Sequence, residues 1–457
     1  MLAEWRQIAI NLYDQVVAAG QPDQVVRKAL AAGHQEAGQD IRQDIRPESF
    51  SAILAVGKAA LGMAQAAYAE GVRVAPDRAL IIAPAHADSD AGTNPEAASD
   101  QHPWPVILSS HPVPDHQSLA AGVKAAALCQ SLTADDHLLV LLSGGASALM
   151  VNPNPPLTLA DKVLLNERLL ASGGDIHQIN AIRRLVSQIK GGRLAAMAHP
   201  AQITQFIISD VEDDELASIG SGIMAGDPVP LSDSLALIKT LGLADYPFME
   251  AFIAHLEGGK LQPPLSPDEA VFDHVKSHIL ASNRQVVHAG LITSNNMKTA
   301  TALPPDIIEL PRLSGEASHM ASHLATLIKS SISSSGGSSG GSSGRPVIGI
   351  TGGETVVSLP SDHGLGGRSQ ELALAFALAM QDADIPWLIL AAGTDGRDGP
   401  TDAAGAILDS QMELDILAAQ TALLRHDVWN LLNRCGGLFR PGSSGTNLAD
   451  LVVIMAG

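Results

Sequence analysis

Short aliphatic runs alternate with helix-like stretches along this chain, and the runs stop in small or polar residues. The pattern is clearest at SAILAVG (51–57), ALIIAP (79–84), PVILSS (105–110), HLLVLLSGG (137–145) and QITQFIISD (202–210). Runs this short and apolar suit strands buried on both faces, with helices as the crossovers between them. The alternation predicts an α/β fold built on a doubly wound, Rossmann-like parallel sheet. Ligands of such sheets bind beyond the carboxyl ends of the strands. The loops expected there are Gly57-Lys58, Ser110-His111-Pro112, Ser143-Gly144-Gly145 and Ser209-Asp210.

With 457 residues the chain is too long for one typical core, so two α/β domains are expected. The first spans residues 1–235. The second, smaller and with a mixed sheet, spans 236–457; a helical connector, LSDSLALIKTLGLADYPFMEAFIAHLEGG, follows Pro230, and the second α/β block begins near HILASNRQVVHAG (278–290). Its strands are read at DIIEL, PVIGIT, TVVSL, WLILAAG and LVVIMA. Residues 330–344, SSISSSGGSSGGSSG, read as a flexible linker. Aromatic residues are only 3% of the chain and charged residues 17%, so the core must be aliphatic. The formal charge of −20 argues against a nucleic-acid partner, which needs a basic face. The amphipathic N-terminus carries Glu4 and Asp14 and is not a signal peptide, and no apolar run is long enough to span a membrane. A cytoplasmic location is expected. Cys129 and Cys435 read as small buried hydrophobes, with no clustered Cys/His pattern for zinc.

In an acidic protein, cations beside glycines are informative. Lys58 follows a strand and a glycine and is read as opening a helix, where an anion is favoured; an ordinary first-turn lysine is the alternative. Ser143, Gly144 and Gly145 could offer backbone N–H groups to phosphate, or serve βα packing alone. RRLVSQIKGGRLA gathers Arg183, Arg184, Lys190 and Arg193; it reads as an anion site, or as a solvated helix end capped by Gly191-Gly192. Asp210 stands at a strand end ahead of Glu212, Asp213, Asp214 and Glu215, a position that suits a Mg²⁺ holder. Asp395, Asp398 and Asp402 share one strand-end loop, which exceeds what turn chemistry needs. GGETVVSLPSDHGLGGRSQELALA (352–375) places Glu354 and a lone Arg368 around two glycine pairs, read as a strand pair and turn. Gly366 and Gly367 start its helix, which is anchored by Leu372 and Phe376 on one apolar face. No GxxxxGK[ST] loop occurs anywhere.

This last stretch, together with AAGTDGRDGPTDAAGA, resembles the C-terminal signature region of the glycerate 2-kinase family, the MOFRL type, over about residues 345–452. VGKAA, SSHPVPDHQSLAAG, LLSGGASALM, VSQIKGGRLA, IISDVEDDELASIGSG and GSSGTNLADL resemble the rest of that family in order, so the resemblance covers nearly the whole chain. It implies ATP-dependent phosphorylation of D-glycerate at the 2-hydroxyl, Mg²⁺ as cofactor, and an active site in a cleft between two α/β domains. It places Lys58, Arg368 and Asp395 at catalytic positions. Substrate and nucleotide would be met by Ser143, Gly144, Gly145, His111, Lys190, Gly366, Gly367 and Asn447, and Mg²⁺ by Asp210 or Glu354. This chain departs from the family pattern after Val211, at Ile223-Met224 and at Ala146. Monomer and homodimer both fit. The rival activities are hydroxypyruvate reduction, against which stands the absence of a GxGxxG nucleotide fingerprint, and non-catalytic binding of a small acid.

Overall fold

The computed structural model describes residues 1–31, 45–85, 102–296, 305–335 and 346–457. The chain divides into two compact units, Pro22–Leu280 and Met1–Gln21 with Ala281–Gly457.

The first unit carries a sheet whose strands, in chain order, are β1 (Ala52–Val56), β2 (Ala79–Pro84), β3 (Val106–Ser109), β4 (His137–Leu142), β5 (Gln202–Ser209) and β6 (Val275–Ser282). Their spatial order is β3-β2-β1-β4-β5-β6, and the strands from β3 to β5 run parallel. Leu54 of β1 sits between Leu80 and Val140, so the middle of the sheet is aliphatic on every side. This is the expected doubly wound order, with the reversal of direction beside β1 and β4.

The sequence boundary at 235/236 does not coincide with the division at Leu280. Helices Leu231–Thr240 and Pro247–Glu257, read as a connector, share a core with helices Leu159–Ala171 and Ile176–Leu185. Leu165, Ile182, Met249 and Phe252 are its centre. Burying that shared apolar surface ties the segment to the first unit.

The second unit holds β7 (Asp306–Glu309), β8 (Val347–Gly353), β9 (Trp387–Gly393), β10 (Gly405–Asp409), β11 (Leu438–Phe439) and β12 (Asp450–Ala456). Their order is β11-β10-β9-β12-β8-β7; β7 and β8 pair parallel and the other neighbours antiparallel, which gives the expected mixed sheet. The N-terminal helix Leu2–Ala19 belongs here. Its apolar face buries Trp5, Leu12 and Val16, and the Tyr13 hydroxyl donates to the Gly393 carbonyl at 2.9 Å.

Three local expectations are corrected. TVVSL is not a strand, because only Val356 makes an isolated bridge, to Glu316. GAILD and LF are strands that short length and flanking glycines concealed. The helix Arg368–Ala379 is buried from Ser369 through Ala377, so Leu372 and Phe376 anchor a helix enclosed on all sides, not on one face. Residues 330–335 of the expected linker continue helix Ala317–Ser335, and the remainder, 336–344, lies outside the described residues. No helix among the described residues is long and apolar enough to cross a membrane.

Candidate functional site

In the first unit, the loops after β1 and β4 are stitched together by backbone. Gly57 has φ +132°, and a Cβ there would lie 2.8 Å from the Ser143 carbonyl carbon, so only glycine fits. The Ser143 N–H donates to the Val56 carbonyl at 3.0 Å, and the Lys58 N–H donates to the Gly144 carbonyl at 2.9 Å. The buried Ser143 hydroxyl accepts from the Ala59 N–H at 3.0 Å. Two expectations change. The helix begins at Ala60, so Lys58 stands in the turn ahead of it. The Ser143 amide is occupied within the sheet, so that residue shapes the loop and offers no N–H to phosphate.

Gly145, at φ +86°, precedes the short helix Ala146–Leu149. A Cβ on it would stand 3.2 Å from His111 Cδ2 and 3.4 Å from Lys58 Cγ. A Cβ on Gly144 would stand 2.7 Å from Asp210 Cγ. The carboxyl ends of β1, β3, β4 and β5 thus bring Lys58, His111, Gly144, Gly145 and Asp210 into one cluster. Gly144→Ala is expected to displace the Asp210 carboxylate, lowering turnover by at least about tenfold with a Tm loss of only a few degrees. Unchanged turnover would deny Asp210 a role at that position.

After Asp210 the backbone turns sharply, with Asp213, Asp214 and Ser221 all at positive φ. Ser221 then bonds its hydroxyl to that of Ser147 at 2.7 Å. Gly191 and Gly192 are not a helix C-cap. Their N–H groups donate to the carbonyls of Ser221 and Gly222, and Gly192 precedes helix Arg193–Ala198. Lys190 is 1% exposed and donates from Nζ to the Ser147 carbonyl at 2.8 Å. The basic run is thus interior, not a solvated face.

In the second unit, Arg368 opens helix Arg368–Ala379 and is held by acids. Its guanidinium pairs with Glu354 and reaches Asp450 at 3.4 Å. Burial works against the Arg368 charge, and Asp450 and Glu354 outweigh it, raising its pKa. The three loop aspartates have separate tasks. Asp395 Oδ1 accepts from the Arg397 N–H at 3.0 Å, beside Gly396 at φ +88°. Asp398 is buried and accepts from the N–H groups of Ser369 (3.1 Å) and Gln370 (2.8 Å), capping the helix. Asp402 binds the Trp429 indole and Arg440 at the surface. Gly367 is required by Asp398, whose carboxylate fills the space a Cβ would take, and Gly366 packs against Val428. Those two glycines therefore have a packing explanation. Asn447 Oδ1 accepts from the Ala449 N–H at 3.3 Å, just before β12.

Comparison with known proteins decides the family. The family described as "Domain of unknown function (DUF4147)" matches residues 8–257, and the MOFRL family matches residues 347–450. Glycerate kinase of Mus musculus is 30% identical, covering 98% of this chain and 92% of the mouse protein. This chain belongs to the MOFRL-type glycerate 2-kinase family. The crystal structure of Glycerate kinase from Thermotoga maritima matches with a TM-score of 0.76 at 27% identity, covering 100% of both chains. A relative in Agrobacterium vitis is 32% identical over 99% of this chain and 94% of its own length, and bears a provisional hydroxypyruvate reductase name. Family membership makes the chain an enzyme, a phosphotransferase.

For a member of the glycerate 2-kinase family, magnesium is implied and can be tested against the residues present. Among the described residues, no group of three His, Cys, Asp or Glu side chains is placed to hold a metal. The Glu354 carboxylate is engaged by Arg368 and is not open to an ion while that pair stands. Asp210 does fit an ion carried mainly by phosphate oxygens, because the missing Cβ of Gly144 leaves its carboxylate a cradle against the loop.

Asp450 is a residue that sequence reasoning missed. It opens a strand, DLVVIMA, that is otherwise apolar and wholly buried, and that contrast was the available signal. Its Oδ2 is buried without a hydrogen-bond donor. Burial raises its pKa to about 7, against the pull of Arg368 and aided by Asp398, Glu354 and Asp395. Burial likewise raises Asp398 to about 6. The folded state keeps the Asp450 proton to about pH 7, whereas an unfolded chain releases it near the ordinary 3.8. This contribution to stability is complete below that ordinary value and is lost as pH rises through about 7. Asp450→Asn is expected to flatten the fall of Tm over that range in thermal melts. An unchanged slope would remove the proton from Asp450.

Proposed function

We propose that this enzyme is an ATP-dependent glycerate 2-kinase, making 2-phosphoglycerate and ADP from D-glycerate. The observation that carries the reading is the cluster of Lys58, His111, Gly145 and Asp210 at the carboxyl ends of parallel strands, in a chain similar over its full length to glycerate kinases. A lysine and a histidine beside a glycine turn suit phosphate oxygens, and the strand-end carboxylate suits the accompanying cation.

Phosphoryl transfer depends chiefly on positioning and charge neutralisation. Asp395 orients the glycerate 2-hydroxyl and accepts its proton. The hydroxyl oxygen bonds to the γ-phosphorus, the bridging P–O bond breaks, and ADP leaves with those electrons. Lys58 and Arg368 balance the carboxylate and the moving phosphoryl group. Arg368 does this by exchanging Glu354, which is 55% exposed, for a substrate anion while keeping Asp450. Magnesium at Asp210 would neutralise nucleotide oxygens. Gly144, Gly145 and His111 line the phosphate side, and Asn447 shapes the turn before β12.

The test is purified protein with ATP, magnesium and D-glycerate, the product identified by phosphorus NMR. Formation of 2-phosphoglycerate supports the reading. No transfer, or hydroxypyruvate-dependent loss of NADH absorbance instead, overturns it.

A further inference from the structure

We infer that Lys162, Arg183 and Lys190 form a built receptor for one oxyanion, a carboxylate or a phosphoryl group, next to the Gly144-Gly145 loop. Which reactant supplies that anion rests on the kinase reading above. Lys162 lies in helix Leu159–Ala171, Arg183 in helix Ile176–Leu185, and Lys190 just ahead of Gly191. Three segments therefore supply the three cations, of which Lys162 and Lys190 are interior and Arg183 is half-buried.

Two of these cations are almost completely buried, Lys162 at 3% exposure and Lys190 at 1%. Both donate only to neutral oxygens. Lys162 Nζ reaches Asn166 Oδ1 at 2.8 Å, and Lys190 Nζ reaches the Ser147 carbonyl at 2.8 Å. Lys162 feels the charge of Arg183, and Lys190 feels both of the others, so they repel one another. Among the described residues none of the three pairs with a carboxylate. Neighbouring cations are treated differently. Arg184 pairs with Asp227 at 2.8 Å, and Arg193 donates to the carbonyls of Arg184, Lys190 and Gln262. Arg184 thus has a carboxylate partner, and among the described residues the trio has none.

Unpaired buried ammonium groups are costly, and the usual escape is loss of the proton. Burial, with Arg183 nearby, pushes Lys162 down to about 7; burial, with both other cations, pushes Lys190 well below the usual lysine range. An incoming oxyanion supplies the missing counter-charge, and a proton moves from the buffer onto a lysine amine as it binds. The Ser147 and Ser221 hydroxyls, paired at 2.7 Å, stand beside the Lys190 amine as further donors.

The experiment titrates the full chain with inorganic phosphate and, separately, with D-glycerate, by calorimetry near pH 7.5 in two buffers of different ionisation enthalpy. The expected result is proton uptake approaching one per site with at least one of them. The arm that shows it names the anion. Lys162→Met, which fills a similar volume without charge, is expected to abolish the uptake, weaken binding about tenfold and raise the KM of the matching reactant with a smaller change in kcat. Binding without proton uptake in the unaltered protein overturns the inference, as does no binding of either ligand. So does a Lys162→Met protein with unchanged binding. The unaltered protein decides the matter if the variant does not fold. Proton-coupled binding without ATP turnover would leave the receptor standing and remove the kinase reading.

Discussion

Replacing Arg368 with alanine is expected to lower kcat/KM for D-glycerate by about 10³, the scale of losing a charged donor aimed at the transition state. The guanidinium is held from one side by Asp450, which is buried, and from the other by Glu354, which is exposed. The exposed partner can give way to substrate while the buried one keeps the planar fork aligned. The fold should survive the substitution. Asp450 is already near its protonation midpoint at neutral pH, and without the arginine it holds its proton more firmly. Arg368→Lys keeps the charge without the fork and should recover only about a tenth of the wild-type rate. Steady-state kinetics on protein with a native melting curve make the check. An Arg368→Ala enzyme within about threefold of wild type would deny Arg368 its role.

Asp395→Asn is expected to lower kcat by about 10²–10⁴, the range for removing a general base, with little change in KM. The comparison is clean because the side-chain oxygen that accepts from the Arg397 N–H is retained in asparagine. Loop geometry should persist while proton acceptance is lost. A large KM increase with normal kcat would instead make Asp395 a binding residue.

Strand ends carried most of the legible signal. Gly57-Lys58, His111, Ser143-Gly144-Gly145 and Asp210 were all readable as loops beyond carboxyl ends, because buried parallel strands are short unbroken aliphatic runs. Their parallel order then brings those loops together. Asp395, Asp398 and Asp402 look equivalent in the sequence, and only packing separated them. Asp398 became a helix cap because Gly367 leaves room for its carboxylate, and Asp402 became a surface partner of Arg440. Lys190 likewise reads as a helix end, yet it is interior because Gly191 and Gly192 bond to Ser221 and Gly222 instead of ending a helix.

By itself the sequence determined the α/β class, the parallel strands of the first sheet and the residues at their ends, since hydrophobic period and glycine position are local properties. The tertiary structure alone decided which charges are paired. The Arg368–Asp450 contact, the burial that raises the Asp450 pKa and the nearness of Lys162 to Arg183 and Lys190 all depend on how separate elements pack. Burial and charge proximity are set by folding, and no local pattern records them.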